Sequence, residues 1–300
     1  MTSSALRTVG ILVAYNTSPD ILLPTVRRLA PQLYRLLVMD NSDDPTRLAA
    51  ALSNSPVNGV EHHSSGGNQG IADAQNRGIS KAVELSADFA LFLDDDSTFP
   101  DDGVKILLAD LEEERRERPE TVGIGPRIVD SRSGQALIAV WEGSRIRPGY
   151  VTTTVEVAYL VSSGALIDVS AFEQFGLFRS EYFIDHVDQE WGFRVGLLGG
   201  RLIVTANVTM PHALGDTPTT TRRGAVRYQH TSSVRDYYLT RNAILLMRDL
   251  RLPTLRYLDL MRVLGESVVR KLLGRNRTRQ QKRAVIDGVV HGIVNRRGPR

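Results

Sequence analysis

The sequence predicts an α/β fold, a mixed and mainly parallel β-sheet flanked by helices, with a helical C-terminal extension. Through the first half of the chain, short apolar runs alternate with amphipathic stretches, which is the pattern of βαβ units. Polar residues directly follow several of these apolar runs. Because ligands of open α/β sheets bind at the carboxyl ends of the strands, the sequence also predicts a binding site along that edge.

Strands and helices of the first half can be placed in order. The expected strands are TVGILVAYN, RLLVMD, the weaker NGVEHH, DFALFLD and TVGIGP. Helices are expected from Pro19, after a glycine-containing loop at residues 66–70, and over residues 104–116. Three strands end in polar residues, which are Tyr15-Asn16, Asp40-Asn41 and the acidic run Asp94, Asp95 and Asp96.

The second half predicts strands with antiparallel pairing and then helices. ALIAVWEG, VTTTVEVAYLVSSGALI and RLIVTANVTM are expected to be strands, and a helix is expected from near His186 to Leu198. GDTPTTTRRGA has the composition of a loop, and we expect it to form a mobile lid. From His230 onward the pattern is helical. The predicted division is a catalytic domain over residues 1–228, with halves meeting near residue 125, and an extension over residues 229–300.

Composition excludes several classes of protein. The chain has 300 residues, 42% of them apolar and 24% charged, which is ordinary for a globular protein. It has no cysteine, so disulfides and thiolate sites are excluded. No secretory signal is recognisable, and no apolar run reaches the roughly 18 residues that span a bilayer. We therefore expect a cytoplasmic protein, with contact at the cytoplasmic face of the inner membrane as an option.

Charge is distributed unevenly along the chain. Residues 251–300 hold 13 basic and 3 acidic residues, a net charge of +10, whereas the first 250 hold 24 basic and 31 acidic residues, a net charge of −7. A basic segment of this kind suggests an anionic partner, either a membrane or a nucleic acid.

The LFLDDDS segment is the first candidate for chemistry. Asp94 and Asp96 are two positions apart, so on an extended backbone they point the same way and could share a divalent cation. A solvated turn or a helix cap is the alternative, and the position directly after a buried strand favours the metal. His212, after another strand, could add a ligand or serve as a structural histidine.

The FIDHVDQEW segment is the second acidic cluster. Asp188 falls in a first helical turn, where it could face the cleft as a general base or merely favour the helix dipole. Glu190 and Arg194 could be an ordinary i,i+4 pair. Asp40-Asn41 could bind a nucleoside or form a turn, and the loop SSGGNQG is neither a dinucleotide-binding nor a P-loop pattern.

Together, the motifs VAYN, VMDNS, GGNQGIADAQNRGI, LFLDDDS, VSSGALI, FIDHVDQEW and PHALGD resemble glycosyltransferase family 2. YYLTRN and the late DGVVHG are similar to its bacterial rhamnosyltransferases. The resemblance covers nearly the whole chain. It implies a GT-A (Rossmann-like) fold and inverting transfer of a sugar, with dTDP-L-rhamnose as the donor and Mg²⁺ or Mn²⁺ as the cofactor.

The resemblance also implies a role for each motif residue. Asp94 and Asp96 would bind the metal with His212, and Asp188 would be the catalytic base. The nucleotide-sugar pocket would include Tyr15, Asp40, Asn41, Asn68, Gly70, Asp94 and Asp95. Arg222, Arg223 and Arg241 are further candidates for contact with phosphate. Ser163, Gly164, Glu190 and Trp191 lie in motifs expected near the acceptor.

The acceptor implied by the resemblance is a glycan or a lipid-linked sugar. An apolar stripe with basic neighbours in the extension favours peripheral contact with an anionic membrane over packing on the catalytic domain. That stripe consists of Leu258, Met261, Leu264, Val268 and Leu272, with Arg256, Arg262, Arg270 and Lys271 among them.

Three other functions are compatible with parts of the sequence. The first is a family 2 transferase using another sugar nucleotide. A nucleotidyltransferase is the second, disfavoured because no Gly-rich, Lys-bearing triphosphate loop is evident. The third is a nonenzymatic membrane- or nucleic-acid-binding protein, but this leaves both acidic clusters unexplained, and no nucleic acid is expected because RNA-binding motifs are missing.

Overall fold

A computed structural model describes residues 6–96, 98–130, 138–148, 151–212, 217–220, 226–229, 232–274 and 276–300. For residues 147–148, 212, 217–220 and 226–229 it describes the backbone alone.

The described strands form one large sheet and two short hairpins. They are β1 Thr8–Ala14, β2 Arg35–Asp40, β3 Val60–Ser64, β4 Phe89–Asp94, β5 Thr121–Asp130, β6 Ala139–Glu142, β7 Arg145–Pro148, β8 Val155–Glu156, β9 Leu166–Asp168, β10 Arg201–His212, β11 Thr217–Thr220 and β12 Val226–Gln229. The large sheet has the order β3-β2-β1-β4-β9-β5-β10-β8, and β6-β7 and β11-β12 pair separately.

The sheet is parallel in its first part and mixed beyond it. Strands β3, β2, β1 and β4 are parallel neighbours. Strand β9 runs antiparallel between β4 and β5, and β5 pairs with β10 in parallel. The expected antiparallel pairing of the second half is thus present. It begins immediately beside β4, at whose end the acidic run lies.

Nine described helices cover the sheet and form the C-terminal layer. They are α1 Pro19–Leu29, α2 Thr46–Asn54, α3 Ile71–Glu84, α4 Gly103–Glu117, α5 Ser170–Phe175, α6 Val187–Leu197, α7 Ser233–Asp249, α8 Thr254–Leu273 and α9 Arg279–Ile293. The sequence pattern indicated most of these, but not α2 and α5. The latter has only six residues, too few to show a helical period.

Two apolar cores lie on opposite faces of the sheet. Strand β1 shows why, since Ile11 and Val13 belong to one core and Leu12 to the other. Alternate side chains of a strand point to opposite faces, so a buried parallel strand supplies both layers. Helices α1, α2 and α4 cover one face, and α3, α5, α6 and α7 cover the other.

The segment VTTTVEVAYLVSSGALI differs from its expected form. It contains only the short strands β8 and β9, with irregular backbone between them. Gly164 lies in this irregular part with φ +86°, and a Cβ there would come within 2.7 Å of Pro126. A continuous strand is excluded because the chain must turn at this glycine to enter β9 beside β4.

The last helix is held tightly against α7. A Cβ at Gly288 would come within 2.7 Å of the Tyr237 carbonyl oxygen, and one at Gly292 within 2.8 Å of Ile244. The glycines of DGVVHG therefore allow the two helix backbones to approach each other closely. Helix α8, by contrast, leaves many of its apolar side chains exposed.

Candidate functional site

The carboxyl ends of three strands meet at one edge of the sheet. In the register of the sheet, Ala14 of β1 lies beside Asp40 of β2, and Val13 lies beside Asp94 of β4. The loops that follow are tied together, because the Asn16 backbone N–H donates to Ser42 at 2.8 Å and the Asn16 amide donates to Asp43 at 2.9 Å. The polar residues predicted at the strand ends therefore lie side by side.

The three acids of the LFLDDDS run have different surroundings. Asp95 turns back towards β1, where its carboxylate accepts hydrogen bonds from the Tyr15 backbone N–H at 3.1 Å and from the Thr17 hydroxyl. Asp94 is partly buried at the end of β4, and Asp96 is exposed. Asp95 thus fastens the β1 loop to the β4 loop.

The donor set of Asp94 and Asp96 suits a hard divalent cation. Mg²⁺ and Mn²⁺ take oxygen ligands and commonly use one or two carboxylates, completing their shells with water and phosphate oxygens. Among the residues that the structure describes, no group of three or more His, Cys, Asp or Glu side chains comes together. Two carboxylates suit a metal that arrives with a phosphate ligand.

Asp40 is a fully buried carboxylate with two internal partners. His62 Nε2 lies 3.0 Å from one carboxylate oxygen, and the Ser42 backbone N–H donates to the other at 3.0 Å. Burial raises the pKa of Asp40, but the hydrogen bonds from His62 and Ser42 outweigh it, so the pKa lies below its usual value. Asp40 supports the loop after β2, and its contact with a nucleobase stays a prediction.

Asn41 and Asn68 join the loop after β2 to the glycine-containing loop. The Asn41 amide donates to Asn68 Oδ1 at 3.1 Å, and its own oxygen accepts from the Gln69 backbone N–H at 2.9 Å. Asn68 Oδ1 also accepts from the Gly70 backbone N–H at 3.0 Å. The two asparagines thereby hold together the two loops that would form the predicted nucleotide pocket. Tyr15, at the end of β1, is 48% exposed.

Gly70 is required by the protein itself. It has φ +88°, and a Cβ there would lie 2.6 Å from the Phe183 carbonyl oxygen. That oxygen accepts a hydrogen bond from the Ile71 backbone N–H at 2.8 Å. The turn of residues 182–186, which leads into α6, thus packs directly against this glycine. The predicted nucleotide loop and the FIDHVDQEW segment are in direct contact.

The turn of residues 182–186 is strained. Phe183, Asp185 and His186 all have positive φ angles, of 67°, 64° and 61°. Such a conformation costs free energy for residues other than glycine and persists only when neighbouring groups hold it. Strain of this kind is common at functional sites.

Helix α7 supplies the groups that hold this turn. Asn242, fully buried, directs its amide nitrogen at the carbonyl oxygens of Tyr182, Ile184 and Asp185, at 2.8–3.0 Å. The turn also has anchors from its own side chains. Asp185 pairs with Arg235 at 2.5 Å, and His186 Nε2 lies 3.1 Å from the Leu239 carbonyl oxygen. The sequence analysis assigns no role to Asn242, although this residue belongs to the YYLTRN motif.

Asp188 lies just beyond the turn, in the first turn of α6. Its carboxylate accepts hydrogen bonds from the backbone N–H groups of Gln189, at 2.8 Å, and Ser162. Burial raises the pKa of Asp188 to about 6, against the lowering effect of these hydrogen bonds. A carboxylate that titrates near neutral pH is suited to take up a proton.

A short loop links Asp188 to the acidic run. Ser162 contacts Asp188, and two residues later the Gly164 backbone N–H donates to the Phe92 carbonyl oxygen of β4 at 2.8 Å. The two acidic clusters are therefore connected through residues 162–164. Ser163 and Gly164 are both buried, which contradicts the expectation that they present an acceptor-binding surface. Tyr159, which the sequence did not single out, lies near enough for the charge of Asp188 to affect it.

Glu190 and Trp191 do not face a cleft, contrary to expectation. Glu190 is fully buried and forms ion pairs with Arg179 at 3.0 Å and Arg194 at 2.8 Å. Trp191 is buried among aromatic rings and donates to the Gly176 carbonyl oxygen at 2.8 Å. Helical periodicity explains the placement of Glu190, because a residue two positions after Asp188 points to a different side of the helix. Trp191 is instead covered by the rings of Phe172 and Phe178.

The expectation that Arg241 contacts a phosphate is wrong in this structure. The side chain is fully buried and donates to the carbonyl oxygens of Glu181, Tyr182 and Gly298. Its guanidinium also stacks over Tyr238, at 4.8 Å from the ring centre. A buried cation needs such partners, and here they are backbone groups of the 182–186 turn and of the C terminus.

Some predicted residues lie beyond what the structure describes. The backbone of His212 ends β10, in register with Asp130 of β5, but its side chain is outside the described set. Arg222 and Arg223 also lie outside the described residues. Of the predicted lid, the structure describes only Thr217–Thr220, which pairs with Val226–Gln229 in antiparallel fashion, and the remaining lid residues lie outside the described set.

Comparison with known proteins identifies the family. The model for glycosyl transferase family 2 matches residues 11–176. The chain is also 30% identical over 251 residues to the dTDP-rhamnosyl transferase RfbF of Shigella flexneri, and the match covers 82% of this chain and 81% of that protein.

Solved structures agree on the fold. S. aureus TarS 1-349 in complex with UDP-GlcNAc superposes with a TM-score of 0.62 at 13% identity, covering 96% of this chain and 82% of the other. GalNAc-T7 with UDP, GalNAc and Mn²⁺ has a TM-score of 0.61 at 14% identity, covering 97% of this chain and 56% of the other. At such identities the likeness concerns the fold alone, and it confirms the GT-A type. The chain belongs to glycosyl transferase family 2.

Proposed function

We propose that this protein is an inverting glycosyltransferase that moves L-rhamnose from dTDP-L-rhamnose to a hydroxyl group of a glycan or lipid-linked acceptor. The product would be a cell-envelope polysaccharide or glycolipid. The observation that carries the proposal is the partly buried Asp188 carboxylate, with a pKa raised to about 6, at the start of α6 and joined to β4 through the 162–164 loop. The choice of donor sugar rests on the relative from Shigella flexneri.

Asp188 acts as the general base in this proposal. It accepts the proton of the acceptor hydroxyl as that oxygen attacks the anomeric carbon, while the nucleotide diphosphate leaves from the opposite face. A positioned base contributes on the order of 10²–10⁴ in rate. The hydrogen bonds from the backbone N–H groups of Ser162 and Gln189 orient the carboxylate. Because an amide N–H is not acidic, these bonds do not protonate it.

Donor binding falls to the edge formed by the strand ends. Asp94 and Asp96 would hold a Mg²⁺ or Mn²⁺ ion, which neutralises charge on the leaving diphosphate when bound. Tyr15 and Asn68 would line the nucleoside side of the pocket, and Asp40 would support the loop that forms it. Asp95 contributes by fixing the position of the β1 loop.

Peripheral contact with an anionic membrane is the second part of the proposal. On α8, Leu255, Leu258 and Met261 are 67%, 55% and 44% exposed, and Arg262, which follows them, is exposed and pairs with Asp259 and Glu266. No helix in the described parts of the chain is long and apolar enough to cross a bilayer. An exposed apolar face with basic neighbours suits the surface of a membrane, where a lipid-linked acceptor would be found.

Thermal stabilisation by sugar nucleotides tests the donor. The protein is heated with dTDP-L-rhamnose, dTDP-glucose or UDP-GlcNAc, each with Mn²⁺ or with EDTA. We expect dTDP-L-rhamnose with Mn²⁺ to give the largest increase in Tm, since ligand at 100 times Kd adds about 2.7 kcal/mol to the free energy of unfolding. A larger increase with UDP-GlcNAc would overturn the rhamnosyl assignment.

Two variants separate the metal site from the base. Asp96→Ala should weaken Mn²⁺-dependent donor binding, whereas Asp101→Ala, another exposed carboxylate five residues on, should not. Asp188→Asn should lower kcat by at least about 100-fold and leave donor stabilisation intact. Near-normal turnover in Asp188→Asn would remove Asp188 as the base, and unchanged Mn²⁺ dependence in Asp96→Ala would remove the metal assignment.

A further inference from the structure

The segment of residues 297–300, which follows α9, lies against the start of the 182–186 turn. The Gly298 backbone N–H donates to the Glu181 carbonyl oxygen at 2.9 Å. The Gly298 carbonyl oxygen accepts from the Arg241 guanidinium, which also donates to the Glu181 carbonyl oxygen at 3.0 Å. Arg241 therefore joins two stretches of backbone that lie far apart in the sequence.

The carbonyl oxygens of residues 181–185 all accept hydrogen bonds from distant elements. Helix α7 reaches four of them through Arg241 and Asn242. The Ile71 backbone N–H of α3 reaches the oxygen of Phe183, and the segment after α9 reaches the first oxygen of the series. Backbone groups withdrawn from water need such partners, and a strained turn persists only where its surroundings hold it. The segment after α9 is therefore one of three elements that fix this conformation.

Arg297 joins two carboxylates at the start of the turn. Its guanidinium pairs with Glu181 at 3.1 Å and with Asp249 of α7 at 2.5 Å. The Asp249 side chain is 7% exposed and also accepts from the Tyr182 hydroxyl at 3.1 Å. A carboxylate this buried depends on its cationic partners, so loss of Arg297 would leave excess negative charge beside the turn.

Arg179 extends this ion cluster to α6, the helix that carries Asp188. Its guanidinium lies 3.5 Å from Glu181, 3.8 Å from Asp249 and 3.0 Å from the fully buried Glu190. Glu190 follows Asp188 by two positions, whereas Glu181 precedes the turn. The cluster therefore ties together the backbone before the turn and the helix that begins after it.

We infer that Arg297 and Gly298 are positioning residues for sugar transfer, which hold the 182–186 turn so that Asp188 is directed at the acceptor hydroxyl. The inference rests on the proposed function, in which Asp188 is the general base, and deepens it by assigning a role to a segment distant from the base in sequence. Neither residue touches a substrate in this role. A displacement of about 1 Å in a reacting group can cost about 10²-fold in rate.

Steady-state kinetics of Arg297→Gln test the role. We expect kcat for dTDP release from dTDP-L-rhamnose to fall at least about tenfold, because the base is displaced. The donor KM should change by less than about threefold, because the donor edge lies at the ends of β1, β2 and β4. Arg296→Gln is the matched control, since this neighbouring arginine is exposed and approaches His291 Nε2 at 3.3 Å. A raised donor KM with unchanged kcat would overturn the inference.

The pKa of Asp188 provides a readout that needs no sugar transfer. Carbon-13 NMR of carboxyl-labelled aspartate follows its titration in the full-length chain. Burial raises this pKa to about 6, and so does the charge of Asp185 in the same turn. A released turn admits water, so Arg297→Gln should lower the pKa of Asp188 towards 3.8.

The direction of that change separates positioning from other effects of Arg297. Removal of a positive charge would by itself raise the pKa of a nearby carboxyl group. A purely structural arginine would lower the midpoint of urea denaturation and leave the pKa of Asp188 in the folded protein where it was. An unchanged or raised pKa of Asp188 in folded Arg297→Gln would therefore contradict the inference.

Gly298→Ala tests the backbone contact without removing a charge, and it replaces Arg297→Gln if that variant fails to fold. Gly298 has φ +80° and a Cβ there meets nothing within 4 Å, so alanine disfavours the backbone conformation without a clash. Gly143, with φ +59° and equally open surroundings, is the control. We expect Gly298→Ala to lower kcat and the pKa of Asp188, and Gly143→Ala to change neither. Identical values for the two alanine variants would exclude a positioning role for Gly298.

A double variant distinguishes this inference from the proposed function. If Arg297 acts through Asp188, adding Arg297→Gln to Asp188→Asn should lower the residual rate by less than about twofold. A further tenfold fall would show that Arg297 acts elsewhere. Near-normal turnover in Asp188→Asn, with a lowered pKa of Asp188 in Arg297→Gln, would contradict the proposed base and leave the positioning of its side chain intact. Lost turnover in Asp188→Asn, with kcat and pKa unchanged in Arg297→Gln, would contradict the inference alone.

Discussion

At the scale of single residues, the buried Asp188 carboxylate lowers the stability of the folded state but has a pKa suited to taking up a proton. Burial makes its ionised form unfavourable, and the backbone N–H groups of Ser162 and Gln189 only partly offset this, so its pKa rises from 3.8 to about 6. The proposed role of Asp188 as a general base would benefit from this compromise, because a carboxylate of pKa about 4 holds a proton too weakly to be an efficient acceptor near pH 7. The raised pKa lowers the free energy of unfolding at pH values where Asp188 is ionised.

Activity should therefore depend on pH through Asp188. We expect kcat/KM to decline below a pKa near 6, because protonated Asp188 cannot accept the proton of the acceptor hydroxyl. The measurement is the initial rate of dTDP release between pH 4.5 and pH 8 at low donor concentration. An acidic limb centred near pH 4, with a folded protein throughout, would contradict the raised pKa.

Stability should depend on pH through the same group. The folded pKa lies above the unfolded value, so the folded state binds more protons between about pH 4 and pH 6, and stability falls as pH rises through that window. Asp188→Asn removes this loss of stability, because asparagine does not ionise. We expect the variant to be more stable than the wild type by about 1–3 kcal/mol at pH 7.5 and by little at pH 4.5.

Urea denaturation at the two pH values measures that difference. Asp101→Asn, at an exposed carboxylate, is the control that should show no such trend. A stability gain for Asp188→Asn that is equal at pH 4.5 and pH 7.5 would mean that titration of Asp188 is not its source.

At the scale of elements, helix α7 holds the turn that carries Asp188 into place. Three residues of this turn have positive φ, and the backbone carbonyls between them are bonded to the side chains of Asn242 and Arg241. Those carbonyl groups would otherwise be buried without donors, at about 1–3 kcal/mol each. The YYLTRN motif thus has a structural reason, namely support of the 182–186 turn from a separate helix.

Replacing Asn242 by Asp should release the turn. The shapes of the two side chains are nearly the same, but an ionised carboxylate cannot donate to the carbonyl oxygens of Tyr182, Ile184 and Asp185. We expect a loss of at least about 1–3 kcal/mol in the free energy of unfolding and a fall in kcat with little change in donor binding. Urea denaturation and steady-state kinetics measure the two effects.

If Asn242 positions Asp188, the Asn242→Asp variant should also show an altered pH profile. The acidic limb of the pH profile should move, because the surroundings of Asp188 change with the turn. Asn58→Asp, at an exposed loop position, is the matched control. An unaltered pH profile and kcat, together with lowered stability, would reduce Asn242 to a purely structural residue.

At the scale of the whole molecule, the basic C-terminal region is largely built into the fold. Arg297 pairs with Asp249 and Glu181, and Lys271 and Arg277 pair with Asp236. Helix α9 packs closely on α7 through Gly288 and Gly292. Deleting residues 251–300 would therefore damage the catalytic region, and membrane contact has to be tested with surface variants instead.

Membrane contact is predicted to depend on the outer face of α8. Leu258→Glu combined with Met261→Glu should reduce flotation with anionic phosphatidylglycerol vesicles, because both changes place charge on the proposed contact face. Ile21→Glu combined with Val83→Glu changes equally exposed apolar residues on α1 and α3 and should leave flotation unchanged. Equal flotation of both double variants would contradict contact through α8.

The sequence by itself determined the fold class, the order of the strands in the first half, the family and the positions of the acidic clusters. These properties depend on local patterns, since an apolar run marks a buried strand and a polar residue after it marks the strand end. The spacing of two between Asp94 and Asp96 separates Asp95 from its neighbours for the same reason, because alternate side chains of an extended backbone point the same way.

Only the tertiary structure decided which motif residues are buried in support of the fold. Arg241, Glu190 and Trp191 are typical site residues by type and motif, yet all three are buried among internal partners. Their roles depend on contacts across long stretches of chain, such as Arg241 with Gly298 and Gly70 with Phe183. A one-dimensional pattern contains no distances between such residues, so the assignment of support and site required the folded molecule.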